Sequence, residues 1–258
     1  MFNLDVMPWF SPMVSPEISR VMHNLGYRTD LRPGEEIGGR FFHRVVFVVD
    51  GFAANALLAP GNHMPLQMTL AGAGSFVVTG SALSIDDNQP RRCWALTRCT
   101  TLSVNPEILL RLAEVESVWN EELTSYHLRR CVSERFGQMV CHVAKPDRRL
   151  GVLFAGAVKS QPQRRVRKTE RWAQEEWQRL PYLPSRKLLA SVISCSSSTV
   201  DQVLRDWINR GILLHANGAL WMKSSELQEH WQWLKPFLQM QKEIENAVNV
   251  RRNFHFPE

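Results

Sequence analysis

Two patterns of apolar residues divide the chain. Before Asn105 they come in short runs, and beyond it they recur every three or four positions. The short runs are Val45 to Val49, Ala54 to Leu58, Leu66 to Leu70, Ser75 to Val78 and Cys93 to Val104. Turn clusters separate them, among them Asp50-Gly51, Ala59 to Asn62, Ala71 to Gly74 and Asp86 to Pro90. Short strands at this spacing predict an antiparallel roll or barrel. A short helix is expected ahead of them, with Ser15 as its cap and Pro16 at its first position.

Asn105-Pro106-Glu107 changes the period from two to 3.6. Asn105 caps, Pro106 fits the first helical position, and Ile108, Leu112, Val115 and Trp119 form a stripe. From about Glu121 to Val143 the stripe persists through Leu123, Tyr126, Val132, Phe136, Met139 and Val140, with no proline. A helix this long is expected to pack on a copy of itself through Tyr126, Val132, Phe136, Met139 and Val140. The other arrangement buries it against its own roll. Pro146-Asp147 stops it, and Asp147 caps a further helix whose face is Leu150, Leu153, Phe154 and Val158.

The strongest local signals lie between Leu183 and Met222. A first helix runs from Ser185, an N-cap, to Ile193, with Leu188, Leu189, Val192 and Ile193 on one face. Ser194-Cys195-Ser196 breaks the pattern, since short hydroxyl side chains bond back to the backbone. A second helix from about Ser197 buries Val200, Val203, Leu204, Trp207 and Ile208, and Gly211 sits where a helix ends in a left-handed residue. Two apolar runs then flank Asn217-Gly218, the strongest short hairpin signal. Helix, turn, helix and hairpin make a winged helix whose second helix can enter a major groove. Beyond it, Ser224 to Glu258 reads as one or two helices with Pro236 as a kink or restart. Trp231 and Trp233 are two apart and do not share a helical face. One is expected to cover the winged helix while the other faces a partner.

Composition adds little to the fold and more to the partner. The 258 residues carry a net charge of +6, which suits a polyanion. No run is long and apolar enough for a membrane span, and the start lacks a signal-peptide pattern, so a cytoplasmic protein is expected. The five cysteines (Cys93, Cys99, Cys131, Cys141, Cys195) form no C-x-x-C pair, and they do not resemble a disulfide framework or a metal site. The run Gln161 to Lys168, with Arg164, Arg165, Arg167 and Lys168, is either a solvated linker or a phosphate grip.

In this order of parts the chain resembles the cyclic-AMP receptor protein/Fnr (Crp/Fnr) family of bacterial transcription regulators, over roughly residues 31 to 222. The specific residues are Ser185-Arg186, Val192-Ile193-Ser194-Cys195-Ser196 and Thr199-Val200, which follow the family's T-R-x-x-(I/L)-(A/G)-x-(I/V)-(V/L)-G-C-S-x-x-T-V run. Arg91 to Ala95 is similar to its R-(S/T)-A strand, and Gly74-Ser75-Phe76 to its G-D-F turn. The resemblance implies an α+β chain in four parts: a cyclic-nucleotide-binding-like β-roll over 1–105, a dimerisation helix over 106–146, a winged helix-turn-helix over 147–222 and a helical extension over 223–258.

Departures from the pattern matter for ligands. Where cyclic-nucleotide binders hold the ribose with a glutamate, this chain reads Val77-Val-Thr-Gly80, and Arg92 stands in place of the small hydroxyl residue. A ribose hydroxyl without its acceptor is expensive, so cyclic AMP is not expected. Arg91, Arg92 and Thr79 remain the candidate lining of an effector pocket. There is no cysteine before Cys93 for an oxygen-sensing cluster, and His43 and His63 do not make a haem site, so no cofactor is expected. In the reading helix, Ser197, Ser198 and Gln202 replace the family's arginine, glutamate and arginine. Serine discriminates base edges weakly and glutamine suits adenine, which gives shape and deformability more weight.

The sequence therefore points to a homodimeric, non-enzymatic regulator on double-stranded DNA. Ser197, Ser198, Thr199, Gln202 and Arg205 would face bases. Ser185, Arg186, Lys187, Ser196 and the basic run would meet phosphates, and His215 and Asn217 would form the wing. RNA polymerase or another regulatory protein is a further candidate partner, no membrane is expected, and the effector is open. The alternative is a protein–protein adaptor that kept the fold and lost operator reading, motivated by the serine-rich helix and the Trp-rich extension.

Overall fold

The runs before Asn105 pair as two antiparallel sheets. The computed structural model describes residues 6–37, 43–59, 65–78, 90–160, 176–181 and 185–252, with side chains through residue 240. The first sheet has the order β1-β7-β2-β5, from β1 (Tyr27–Leu31), β7 (Cys99–Val104), β2 (Val45–Asp50) and β5 (Phe76–Val78). The second has the order β4-β3-β6, from β4 (Pro65–Ala71), β3 (Ala53–Leu58) and β6 (Arg91–Ala95). Facing positions from both sheets, including Val46, Val48, Ala53, Ala71, Val77, Cys93 and Ala95, form one buried cluster between them. This is the roll the alternation predicted, although β1 carries no apolar run and the stretch from Cys93 to Val104 divides into two strands.

The outer face of the first sheet is covered by helices. α1 (Pro16–Leu25) is capped as expected, with Ile18 N donating to the Ser15 hydroxyl at 3.4 Å. α2 (Pro106–Val115) is capped by Asn105, and α3 (Ser117–Val143) follows. The two are not continuous: Glu116 is extended (φ −129°, ψ 116°), and its carboxylate accepts a hydrogen bond from the Trp119 indole at 3.1 Å. The stripe from Ile108 to Trp119 is therefore broken, leaving Val115 81% exposed while Leu109 is fully buried.

α4 (Pro146–Lys159) begins at Pro146, with Lys145 at the cap position and Asp147 inside the first turn rather than capping it. Beyond it lie β8 (Trp177–Arg179), α5 (Arg186–Val192), α6 (Ser197–Asn209), β9 (Leu213–Ala216), β10 (Ala219–Lys223) and α7 (Ser224–Arg252). β8, β10 and β9 form a three-stranded antiparallel wing. α7 is one helix that passes through Pro236 without restarting.

A single apolar cluster runs from the roll to the wing. It joins Phe52, Ala54, Met68 and Leu70 of the roll to Phe136 and Val140 of α3, Leu150 to Ala155 of α4, Leu189 of α5, Trp207 of α6 and Leu234 of α7. At its centre are Trp9 and Phe10, from an N-terminal segment pinned to β4 by Leu70 N donating to Trp9 O and Ser11 N donating to Leu70 O, both at 2.7 Å. Two glycines admit the aromatic rings: a Cβ at Gly137 would lie 2.6 Å from the Trp9 ring, and one at Gly156 would lie 2.8 Å from Phe10. The Ser133 hydroxyl, 2.5 and 2.6 Å from the Met7 and Phe10 carbonyl oxygens, closes the contact from α3.

Candidate nucleic-acid interface

The two-helix unit is built by its caps. Leu188 N donates to the Ser185 hydroxyl at 3.3 Å and Thr199 N donates to the Ser196 hydroxyl at 3.1 Å, so each serine satisfies a backbone donor left over at its helix start. Between the helices Ser194 adopts φ 53°, a left-handed conformation that the family pattern fills with glycine. The turn is held from below by Arg149 of α4, whose guanidinium donates to the carbonyls of Ile193 (3.2 Å) and Ser194 (3.1 Å) and, through Nε, of Ala144 (2.8 Å). The helix ends at a left-handed Gly211 (φ 64°), as its position implied.

Val200, Leu204 and Trp207 bury the inner stripe of α6, and each is worth about 1.5–3 kcal/mol of transfer free energy. Trp207 meets Phe154 edge-on at 6.1 Å and His230 of α7 at 5.8 Å. Two residues assigned to that stripe stand elsewhere: Val203 is half-buried and Ile208 is 51% exposed, because α5 and α4 cover less than the full arc of the helix.

The outer face carries the polar residues. Ser198, Gln202 and Arg205 are exposed, while Ser197 and Thr199 are half-buried. The Thr199 hydroxyl sits 2.8 Å from that of Ser196, so it takes part in the cap. Arg205 folds back, its Nε donating to the Asp201 carbonyl at 3.3 Å. Ser185, Arg186, Lys187 and Ser196 are exposed at the adjoining helix starts, and Arg186 pairs with Asp201, Nε to Oδ1, at 2.6 Å.

His215 and Asn217 are exposed at the wing. Asn217 (φ 52°) and Gly218 (φ 68°) make the two-residue turn, and Ala216 pairs with Ala219. The third wing strand, β8, had no signal in the sequence, since Trp-Gln-Arg is too short for alternation to show. Arg149 was likewise not anticipated, because its carbonyl partners come together only in the folded chain. Arg164, Arg165, Arg167, Lys168 and Thr79 lie outside the described residues.

Two groups of expected residues are placed differently. Arg92 is exposed, 2.8 Å from the Glu36 carboxylate and over the Trp94 ring at 5.3 Å. Arg91 is half-buried on the same strand face as Cys93 and Ala95. Arg130 of α3 is buried near Cys93 and 3.1 Å from Glu134, and the Cys93 thiol is pushed up to about 12 by burial, an effect that Arg130 and Arg91 only partly oppose.

The second group is the helix face assigned to a copy of the chain. Tyr126, Phe136 and Val140 are buried within their own chain: Tyr126 stacks edge-on against Phe76 at 5.0 Å, and Phe136 lies 6.4 Å from Phe237 of α7. Val132 and Met139 are half-buried, Met139 against the central cluster. The face that α3 leaves exposed is Thr124, Leu128, Cys131, Arg135, Gln138 and His142, spaced alternately four and three apart.

Trp231 and Trp233 both pack on their own chain. Lys159 of α4 lies over the Trp231 ring at 3.8 Å, and Trp233 meets Phe237 at 5.1 Å with Arg148 at 6.0 Å. On the same helix His230 is buried beside Gly151, where any side chain would overlap its ring. Burial and the neighbouring Arg148, 3.2 Å away, hold its pKa down at about 4.

This arrangement of roll, long helix and winged helix matches solved regulator structures. FixK2 from Bradyrhizobium japonicum superposes with a TM-score of 0.63 at 14% identity, covering 80% of this chain and 96% of that one. The c-di-GMP responsive global regulator CLP of Xanthomonas campestris gives 0.55 at 15% identity, covering 80% and 97%. A transcriptional regulator assigned to the Crp/Fnr family, from Eubacterium rectale ATCC 33656, gives 0.54 at 9% identity, covering 85% and 95%. No protein-family model and no curated protein sequence matches the chain. The chain has the fold of the Crp/Fnr regulators. Among the described residues no helix is long and apolar enough to cross a membrane.

Proposed function

We propose that the protein is a transcription regulator that binds double-stranded DNA as a homodimer on a two-fold symmetric operator. The observation that carries the reading is the outer face of α6. Ser198 and Gln202 project from a helix whose other side is anchored by Trp207, with Arg205 exposed one turn on, beside a hairpin whose tip is exposed. Ser197, Ser198, Thr199 and Gln202 would meet base edges. Arg186, Lys187 and the exposed caps would position the backbone, with His215 and Asn217 reaching a flanking groove. A second copy would pack on the face of α3 that the described residues leave uncovered, where Leu128 is 55% exposed. Leu128 and Cys131 lie at its centre.

Control by cyclic AMP is not part of the proposal, because the sequence Val77-Val-Thr-Gly80 offers a ribose hydroxyl no carboxylate. The adaptor reading has less support, since the aromatic residues that motivated it pack into their own chain.

The test is selection of bound duplexes from a random pool by the full chain, with sedimentation of the same protein. Recovery of a symmetric site with half-sites about one helical turn apart supports the reading. Gln202→Ala should then change the selected sequence, whereas Leu128→Asp should yield a folded monomer that loses the paired site. A pool that stays random at every salt concentration would overturn it.

A further inference from the structure

The charge arrangement at the start of the two-helix unit has a consequence for selectivity. Arg186 is the first residue of α5, and Asp201 stands on α6 one turn beyond Ser197, on the face that carries Ser198 and Gln202. Their side chains, 67% and 24% exposed, form an ion pair with Arg186 Nε 2.6 Å from Asp201 Oδ1, a contact of charges and not an aligned hydrogen bond. The terminal nitrogens of the guanidinium keep their donors for a phosphate. The same residue's carbonyl accepts from Arg205, so Asp201 gathers two cations of the proposed reading face. Asp206, one turn further, pairs with Arg210 at 3.2 Å, which leaves both carboxylates of α6 matched to arginines.

We propose that Asp201 is a selectivity residue of this interface and acts through Arg186. The inference rests on the DNA-binding reading above and adds to it a residue whose role is to subtract affinity. Phosphate attraction is independent of sequence and supplies most non-specific binding. A carboxylate beside Arg186 leaves the guanidinium in place to position the duplex but cancels its charge at a distance. Serine and glutamine discriminate only modestly, so the ratio of operator to random binding depends on keeping the background low. Asp201 lowers it.

The experiment uses the full-length chain and fluorescent duplexes, one of selected and one of random sequence, titrated over a series of potassium chloride concentrations. Asp201→Asn keeps the shape and removes the charge. Affinity for random duplex should rise by about threefold near 0.1 M salt. The slope of log affinity against log salt should steepen by up to about 0.9, the share of one phosphate contact. The ratio of selected to random binding should fall.

Arg186→Ala should cost less with Asp201 present than in the Asp201→Asn background, because the carboxylate already cancels part of the guanidinium's attraction for phosphate. Asp201→Ala is the second variant, and unchanged thermal midpoints would confirm that both fold. Wild-type protein that selects a site while the Asp201 variants keep its affinity, salt slope and selectivity would overturn this inference alone. So would independent, additive effects of the Arg186 and Asp201 substitutions. Wild-type protein that captures no duplex would overturn the DNA-binding reading, and this inference with it.

Discussion

α6 and α3 are both helices with one face buried, yet they buried their residues by different rules. α6 has 13 residues and rests on neighbouring helices whose approach its own stripe dictates: Val200, Leu204 and Trp207 go inside, as apolar residues at helical spacing should. α3 has 27 residues and buries Arg130, Ser133 and Gly137 beside Leu123, Tyr126, Phe136 and Val140. Its neighbours change along its length, from the roll at Tyr126 to the N-terminal segment at Ser133 and Gly137 and then to α7 at Phe136. A helix against a constant neighbour shows its buried face in its periodicity. A helix that meets three different surfaces buries whatever each surface accepts, including a serine under a carbonyl and a glycine under an indole.

Trp207→Ala empties the anchor of α6 and should cost about 3–5 kcal/mol, read as a loss of unfolding free energy in urea. A cost below 1 kcal/mol would mean that the stripe does not hold the helix.

The next effect depends on pH and tests the covering by α7. His230 has a folded pKa of about 4 against an ordinary value near 6.5, so the unfolded chain binds the proton more readily. Its neutral form therefore contributes stability that is present above about pH 6.5 and lost as pH falls toward 4. The loss is of order 3 kcal/mol. His230→Gln should flatten that part of a stability-against-pH curve, and an unchanged slope would mean the ring is not buried in solution.

Gly137→Ala in α3 should cost about 1–3 kcal/mol, because the methyl group meets a Trp9 ring that is itself enclosed. A neutral result would show that the N-terminal segment is not wedged against α3. The smallest effect should be a gain: Ser194→Gly relieves a left-handed residue at the turn before α6 and should raise stability by about 0.5 kcal/mol, visible as a small upward shift of Tm.

Legibility followed the range of the interactions. The caps at Ser15, Asn105 and Ser185, the left-handed Gly211 and the Asn217-Gly218 hairpin were all readable, because each depends on residues a few positions apart. Asp147 stands two positions past the cap at Lys145, because the proline before it already serves as the first helical residue. Ile208 fits the periodicity of α6 but stands at the rim of the stripe, where no neighbour covers it. Of the candidate interface, the residue types on α6 were evident from their spacing. The Arg186–Asp201 pair and the Arg149 brace were not, since they join residues 15 and about 45 positions apart.

Local chemistry in the sequence was sufficient for a strand-rich first part, a long helix and a winged helix with a polar outer face. Those features depend on alternation, helical period, capping and turn residues, which act over a few positions and are largely insensitive to what packs above them. Tertiary structure alone decided which face of α3 stays free, that Trp9 and Phe10 lie at the centre of the main cluster, and that α7 folds back over α4. The reason is physical. An apolar residue gains free energy from any surface that removes it from water, so the burial of Tyr126, Phe136 and Val140 was implied by their chemistry, whereas the identity of the surface was set by which elements the folded chain brings together.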